Sequence, residues 1–271
     1  MLDMNKLSVR LLKEFLKTVG PDVSRTQMAP NITLIDMGIK EKGSWETGKR
    51  LLEILLGGLG LINYGHFACN SYNLPSVDIY SDKPVFASLN SLLPREKNKL
   101  LVAGPGQKFL GPTTTDEVHE TVFYVEYDGY EYQKDIAEIF QNSILSPLEK
   151  IFVLTASPTC LVSSAYHSSL SLALTIKAMV DCGFVHDEIM WAWGSCPILP
   201  FVDDISKAKE RQNAAVLYGA NVNVWVRSQD EKVTEILNGL EGAARVSFHN
   251  LASGKTFTKG KIDHERLSCL F

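Results

Sequence analysis

The chain has 271 residues, of which 45% are hydrophobic and 21% are charged, and its formal net charge is −4. This composition is typical of a folded globular protein and excludes a disordered chain, and the length fits one large domain or two smaller lobes. An acidic chain without a basic run gives no electrostatic support for binding nucleic acid or an anionic membrane.

The cysteines are odd in number and scattered, and they form no C-x-x-C pair. Neither a zinc site nor a disulfide framework is therefore indicated, and we expect no metal. Reduced, mostly buried thiols are typical of a cytoplasmic protein. The longest apolar run, Ile54 to Ile62, is too short to span a membrane. The five cysteines are Cys69, Cys160, Cys182, Cys196 and Cys269.

The first half of the chain alternates helical and strand patterns. Its first 20 residues have apolar positions at helical spacing with charges between them, which indicates an amphipathic surface helix rather than a signal peptide. A second helix is predicted from Ser44 to Leu56, because Ser44 is a good N-cap and Gly57 can end a helix. The predicted strands or apolar stretches are Ile32–Asp36, Ser76–Ser81, Val85–Leu89, Leu100–Ala103 and Thr121–Tyr127.

The second half contains one unusually long helical pattern. It runs from Ser163 to Asp181, stops at Gly183, and follows a buried strand predicted at Lys150–Ala156. Because some predicted strands are adjacent in the chain, the sequence favours a mixed-sheet α/β or α+β fold. The other predictions are a helix at Asp135–Leu145, a Trp-rich stretch at Ile189–Trp193, a turn at Gly194–Pro200, a short helix after Asp204, a strand region at Ala215–Val226, a helix at Asp230–Leu240 and a hairpin at Arg245–Lys259.

The division into lobes is expected near a polar stretch around Pro94, which interrupts the apolar pattern. We therefore expect an N-terminal α/β lobe at 1–93 and a second α/β lobe at 94–240. The hairpin region 241–271 is a candidate for a return to the first lobe.

The long helix has two interpretations. Lys177 is its one charged side chain before Val180, while several Ser and Thr residues are spread around it. Small hydroxyls allow close packing, so the helix is either buried on most faces or lines a polar ligand pocket with its N-terminal half.

Other candidate site residues are equally open to a structural interpretation. The loop containing Gly104, Gly106 and Gln107 follows a strand and is either a plain turn or an anion contact, but it matches no Walker or dinucleotide fingerprint. For Asp203 and Asp204 the preferred interpretation is a helix cap, and the second is a contact to a ligand.

His167 is a candidate polar residue of a ligand cleft, although a capped or surface histidine is the simpler interpretation. A nucleophilic pair with Cys160 is disfavoured, because seven helical residues separate their side chains by about 10 Å.

Several motifs in order resemble the methenyltetrahydromethanopterin cyclohydrolase family. The segment G-S-W-E-T-G at 43–48, followed by E-I-L-L-G-G-L-G at 53–60, is similar to the G-S-W-E-A-G…E-I-x-x-G-G-L segment of that family. Further similar segments lie at 75–89, where the family has strand–turn–strand, and at 158–164, 194–200, 213–219 and 253–257.

The resemblance implies two α/β lobes with mixed sheets and a pterin-binding cleft between them, usually in a homotrimer. The reaction it implies adds water to the methenyl carbon of a cationic pterin and needs no metal or bound cofactor. A tetrahydromethanopterin-type pterin is thus the implied ligand. The candidate ligand-binding residues are Gly104, Gly106, Gln107, Ser163, Ser164, His167, Ser195, Asp203, Asp204 and Asn213.

The chain departs from the family at the expected catalytic pair. The resemblance implies an Arg and a Glu three positions apart on the long helix, but these positions are Leu170 and Ala173 here. Counted forward from Pro158 instead, they are Ser171 and Leu174. Neither alignment supplies an ionisable group.

Three functional hypotheses follow. The first is a divergent relative that binds a pterin-like cofactor or precursor, in tetrahydromethanopterin-linked one-carbon metabolism, without efficient hydrolysis. The second is an active cyclohydrolase with a different base, from Asp203, Asp204 or His167. The third is a non-catalytic assembly partner.

Overall fold

A computed structural model describes residues 3–18, 22–97, 100–110, 118–127, 136, 138–140, 144 and 148–270. The chain divides into two compact units. Unit 1 comprises Met1–Gly58 and Asn90–Ser163, and unit 2 comprises Leu59–Leu89 and Ser164–Phe271.

Helices and strands alternate along both units. The helices are α1 (Met4–Thr18), α2 (Trp45–Leu55), α3 (Pro84–Ala87), α4 (Leu161–Asp181), α5 (Ile205–Ala214), α6 (Asp230–Gly239) and α7 (His264–Ser268). The strands are β1 (Ser24–Ala29), β2 (Ile32–Gly38), β3 (Leu61–Cys69), β4 (Tyr72–Ser81), β5 (Arg95–Lys97), β6 (Leu100–Ala103), β7 (Glu120–Glu126), β8 (Lys150–Ala156), β9 (Ile189–Pro197), β10 (Asn221–Val226), β11 (Arg245–Asn250) and β12 (Thr256–Gly260).

Unit 1 is built on a six-stranded mixed sheet in the order β1-β2-β8-β7-β6-β5. The central strands β2, β8 and β7 are parallel, and the others pair antiparallel. Residues 151–156 of β8 and 121–126 of β7 are buried without alternation, as expected for parallel strands covered on both faces. Helix α1 buries Val9, Leu12 and Phe15 along one stripe.

Unit 2 contains a second six-stranded mixed sheet, in the order β12-β11-β10-β9-β4-β3. Among the described strands of this second sheet, only the β10–β11 pair is parallel. Helix α4 packs on one face of this sheet, where a Cβ added at Gly194 of β9 would lie 3.1 Å from Leu172 Cβ. Two mixed sheets with packed helices confirm the predicted α/β class.

Three local predictions are wrong. The apolar stretch at 85–89, where the family resemblance implies a second strand, is helical, because Pro84 begins a helix and Ala87 N–H bonds to Lys83 O at 3.0 Å. The turn expected at Gly194–Pro200 is strand up to Pro197, since Gly194 lets β9 lie against α4. Residues 215–219 form a short π-helix, so only Asn221–Val226 is strand.

The units also divide the chain differently from the expected boundary at 93/94. The β3–β4 hairpin, expected in the first lobe, pairs with β9 of unit 2, whereas β6 and β7 pair within the unit 1 sheet. The hairpin region 241–271, a candidate for the first lobe, belongs to unit 2. Most of the helix predicted at Asp135–Leu145 lies outside the described residues. No helix in the described part of the chain is long and apolar enough to cross a membrane.

Candidate functional site

Two buried carboxylates stand at one edge of the sheet in unit 1. Asp36 lies near the carboxyl end of β2, and Glu126 is the last residue of β7. Both strands run parallel to β8, which lies between them, so their carboxyl ends meet at the same edge. In open α/β sheets ligands bind at this edge.

Asp36 is held by the backbone that follows it. Its Oδ1 accepts the N–H groups of Gly38 at 3.0 Å and Ile39 at 2.7 Å, and its Oδ2 accepts that of Lys40 at 2.9 Å. Asp36 is buried. These three backbone N–H groups satisfy the buried carboxylate and fix the turn after β2.

Glu126 is connected to the first turn of α4. The hydroxyl of Ser163 donates a hydrogen bond to Glu126 Oε2, and both residues are buried. The first N–H groups of a helix carry partial positive charge, so the amino end of α4 favours a nearby carboxylate. This arrangement places one acidic group beside the helix on which the implied Arg and Glu are absent.

Cys160 directly precedes α4 and lies against the backbone of β2. A Cβ added at Gly38 would lie 2.5 Å from Cys160 Sγ, and Sγ accepts the N–H of Ser163 at 3.5 Å. Burial, with a smaller contribution from the charge of Glu126, raises the pKa of Cys160 to about 11. Because the thiolate is the nucleophile in cysteine chemistry, a protonated Cys160 agrees with the disfavoured Cys160–His167 pair.

The hydroxyls of α4 beyond Ser164 bond mostly to backbone carbonyls. Ser168 Oγ donates to Pro197 O at 2.9 Å, Ser171 Oγ to Ser168 O at 3.0 Å, and Thr175 Oγ1 to Ser171 O at 2.9 Å. Such bonds satisfy small polar groups inside a packed helix without a ligand. This part of the helix therefore follows the first interpretation, a helix buried on most faces.

The two alignments imply four positions for the catalytic pair. Three of these residues are buried, and Leu174 is exposed. Leu170 is 7% exposed and Ala173 is 0% exposed, while Ser171 is 2% and Leu174 37% exposed. An ionised side chain at Ala173 would lose its hydration.

The glycine loop is explained by packing. A Cβ added at Gly104, whose φ is +100°, would lie 2.8 Å from Val122 O, and one at Gly106 would lie 2.5 Å from the Phe123 ring. The amide of Gln107 donates to Leu93 O at 2.7 Å. These contacts favour the plain-turn interpretation over an anion contact.

The remaining candidate residues of unit 2 do not form one cluster. Ser195 follows Gly194 on β9, so its side chain lies on the opposite face of the sheet and points away from α4. His167 lies on α4, and its ring is 5.5 Å from the ring of Tyr166. Asp204 caps α5, since its Oδ1 accepts Lys207 N–H at 2.8 Å.

Asp203, next to this cap, and Asn213, on α5, are both exposed. Ser164, the other hydroxyl residue of the predicted set in unit 2, lies in the first turn of α4 and is 9% exposed.

Neither Asp36 nor Glu126 is among the site residues predicted from the sequence. Both end apolar β-runs, I-T-L-I-D and T-V-F-Y-V-E, and an acid at the carboxyl end of a buried strand is a usable signal. The contact between Glu126 and Ser163 joins residues 37 positions apart and has no local signature.

Comparison with known proteins decides the family. The family model described as Cyclohydrolase (MCH) matches residues 3–243 of the chain. The chain belongs to the cyclohydrolase (MCH) family.

Three relatives agree with this family. Methenyltetrahydromethanopterin cyclohydrolase of Methylobacterium organophilum is 28% identical over 237 residues, covering 80% of this chain and 72% of the relative. The enzyme of the same name from Methylobacillus flagellatus is 26% identical over 225 residues, covering 78% and 68%. That of Methanocaldococcus jannaschii is 22% identical, covering 98% and 97%. Membership in the cyclohydrolase family thus extends over most of the chain.

Within the described ranges, no group of three or more His, Cys, Asp or Glu side chains is placed to hold a metal ion.

Proposed function

We propose that this protein binds a tetrahydromethanopterin-type pterin and handles it in one-carbon metabolism without fast opening of the methenyl bridge. The observation that carries this proposal is the composition of α4. From Leu161 to Ile176 the helix contains no Asp, Glu, Lys or Arg, and Leu170 and Ala173 are packed inside the protein.

The chemistry explains why this composition matters. Opening the methenyl bridge requires a group that takes a proton from water as the water attacks the cationic carbon. A positioned base contributes about 10²- to 10⁴-fold to the rate of such a step. A chain that lacks the base and its charged partner keeps the fold while it loses most of this contribution.

Calorimetric titration tests the binding part of the proposal. We expect heat on titration with a tetrahydropterin and none with nucleotides or inorganic phosphate. The variant His167→Ala should weaken pterin binding, because His167 is a candidate ligand residue. The matched variant His119→Ala, at an exposed residue of unit 1, should not. Absence of heat with any pterin would contradict a retained site and favour the non-catalytic partner.

A second candidate function is active hydrolysis with Glu126 as the base. It is favoured by one observation: Glu126 is a buried carboxylate hydrogen-bonded by Ser163 at the start of α4. Glu126 would take the proton of the attacking water and later release it to solvent. Asp204 is a weaker candidate because its carboxylate already caps α5.

The variant Glu126→Gln separates the two candidates. If Glu126 is the base, the amide lowers kcat by about 100-fold or more and removes the acidic limb of the pH–rate profile. If hydrolysis is absent, wild type and variant show the same spontaneous rate. We propose further that the protein acts in the cytoplasm, as expected from its scattered cysteines, and as a homo-oligomer, as the family resemblance implies.

A further inference from the structure

A groove in unit 1 is lined by basic side chains of α1. It lies between this helix and the start of β7, and its volume is about 460 Å³. The basic residues are Lys6, Arg10, Lys13 and Lys17, which follow one another at intervals of four, three and four positions. Such intervals place side chains on the same side of a helix. We call this feature the basic groove.

The walls of the basic groove are fixed by buried hydrogen bonds. The side-chain amide of Asn5 donates to the backbone carbonyl of Glu120, and its Oδ1 accepts the hydroxyl of Thr121 at 2.6 Å. Asn5 and Thr121 are both buried. These bonds hold α1 against β7, so the groove exists before any partner binds and a partner does not have to order it.

Three of the four basic side chains are only weakly engaged within the chain. Lys6 lies 3.9 Å from Asp3, and Arg10 lies 4.0 Å from Glu14. Exposed ion pairs of this length contribute little to stability. Among the described residues, Lys17 forms no ion pair. These cations can therefore take an external carboxylate at little cost.

The acidic residues of the basic groove do not cancel its charge. Glu120 contacts Lys13 and lies 3.6 Å from Lys150, so two lysines share this one carboxylate. Glu14 is the other acid among the described lining residues. The groove thus keeps an excess of positive charge in a chain whose net charge is −4. A local field of this sign attracts an acidic partner.

The length of the basic row indicates the shape of that partner. Lys6 and Lys17 are 11 positions apart, which corresponds to about 16 Å along a helix axis. A single carboxylate or phosphate group would reach only part of this row. An extended peptide rises about 3.3 Å per residue and points every second side chain to the same side, so alternate acids lie about 6.6 Å apart. Helical cations four positions apart are separated by about 6 Å along the axis, a close match.

We propose that the basic groove binds an extended acidic peptide segment of a partner protein, with acids at alternate positions. The acids of the segment pair with Lys6, Arg10 and Lys17, while Lys13 stays with Glu120. A flat membrane surface does not enter a groove, and the acidic remainder of the chain repels a long polyanion such as nucleic acid. The proposal does not depend on whether the protein binds a pterin.

Fluorescence anisotropy with a labelled heptapeptide of alternating Glu and Ser tests the groove. We expect binding at low ionic strength that weakens as salt screens the exposed charges, and no binding of the matched Gln–Ser heptapeptide. The double variant Arg10→Glu/Lys17→Glu should raise the dissociation constant about tenfold or more. The control Lys42→Glu/Lys261→Glu makes the same change in net charge at exposed residues outside the groove and should leave the constant unchanged.

A peptide of opposite charge gives a second, independent result. A Lys–Ser heptapeptide should bind Arg10→Glu/Lys17→Glu more tightly than it binds wild type, which also shows that the variant is folded. Failure of the Glu–Ser peptide to bind wild type, or equal binding to wild type and the groove variant, would overturn the proposal. Citrate, inorganic pyrophosphate or a single-stranded oligonucleotide that binds as tightly as the peptide would overturn it as well, because the groove would then be a general anion site.

Discussion

Ser163, in the first turn of α4, donates a hydrogen bond to Glu126, the last residue of β7. This contact connects the amino end of the long helix to the carboxyl edge of the parallel strands. The later hydroxyls of α4, at Ser168, Ser171 and Thr175, donate to backbone carbonyls instead.

The variant Ser163→Ala should destabilise unit 1. It removes a donor from a buried carboxylate, which costs about 1–3 kcal/mol of unfolding free energy. The control Ser171→Ala is similarly buried but removes only a bond within the helix, so its cost should be below about 1 kcal/mol. Urea unfolding of both variants measures the difference, and equal losses would contradict the role of the Ser163–Glu126 contact.

The variant Gly106→Ala tests the packing interpretation of the glycine loop. Its methyl group would meet the Phe123 ring at 2.5 Å, and such overpacking costs about 1–3 kcal/mol. Gly239→Ala, where nothing lies within 4 Å of the added Cβ, should instead stabilise by up to about 1 kcal/mol. Thermal melting compares them. A Gly106→Ala protein of wild-type stability would show that the loop has room for a ligand.

The variant Ala173→Glu tests whether the implied acid can be restored to α4. Ala173 is 0% exposed, so the added carboxylate loses its hydration and the variant should lose several kcal/mol of stability. Leu174→Glu, at a residue 37% exposed, should cost less than about 1 kcal/mol. Chemical denaturation of the two proteins measures the loss of unfolding free energy in each. A stable Ala173→Glu variant would mean that this position opens to water.

Lowering the pH should destabilise unit 2, because His249 becomes protonated more readily in the unfolded chain. Burial lowers the pKa of His249 below its ordinary value of 6.5, while its ring nitrogens bond to Thr256 and Asn223 at 3.0 Å. The unfolded chain therefore binds the proton first, so stability is full above pH 6.5 and falls as the pH drops toward the lower, folded-state pKa.

Denaturation at pH 7.5 and at mildly acidic pH measures this effect. The variant His249→Gln should show a smaller loss between the two pH values than wild type. An unchanged pH dependence would exclude His249 as its source.

The local signals in the sequence predicted elements well where one residue decides the geometry. Ser44 caps α2 by accepting Thr47 N–H at 3.1 Å, and Asp204 caps α5. The predicted strand at Lys150–Ala156 has the bounds of β8. Each of these signals acts within a few residues of the chain.

Tertiary packing decided the features that the sequence did not reveal. The sequence predicts a turn that starts at Gly194. In the structure Gly194 continues β9, because α4 leaves no room for a side chain there. Strand β3 was not predicted, since its burial depends on pairing with β4 and on α7. The absence of charge on α4 could be predicted from the sequence, whereas the proximity of Glu126 to Ser163 became visible only in the folded structure.

The central claim is that the family's hydrolytic step has been lost, and the loss of methenyl-pterin absorbance in the presence of purified protein tests it most directly. We predict a rate equal to the spontaneous rate, for wild type and for Glu126→Gln alike. Turnover far above the spontaneous rate, abolished in Glu126→Gln, would contradict the claim and make Glu126 the base of a working cyclohydrolase.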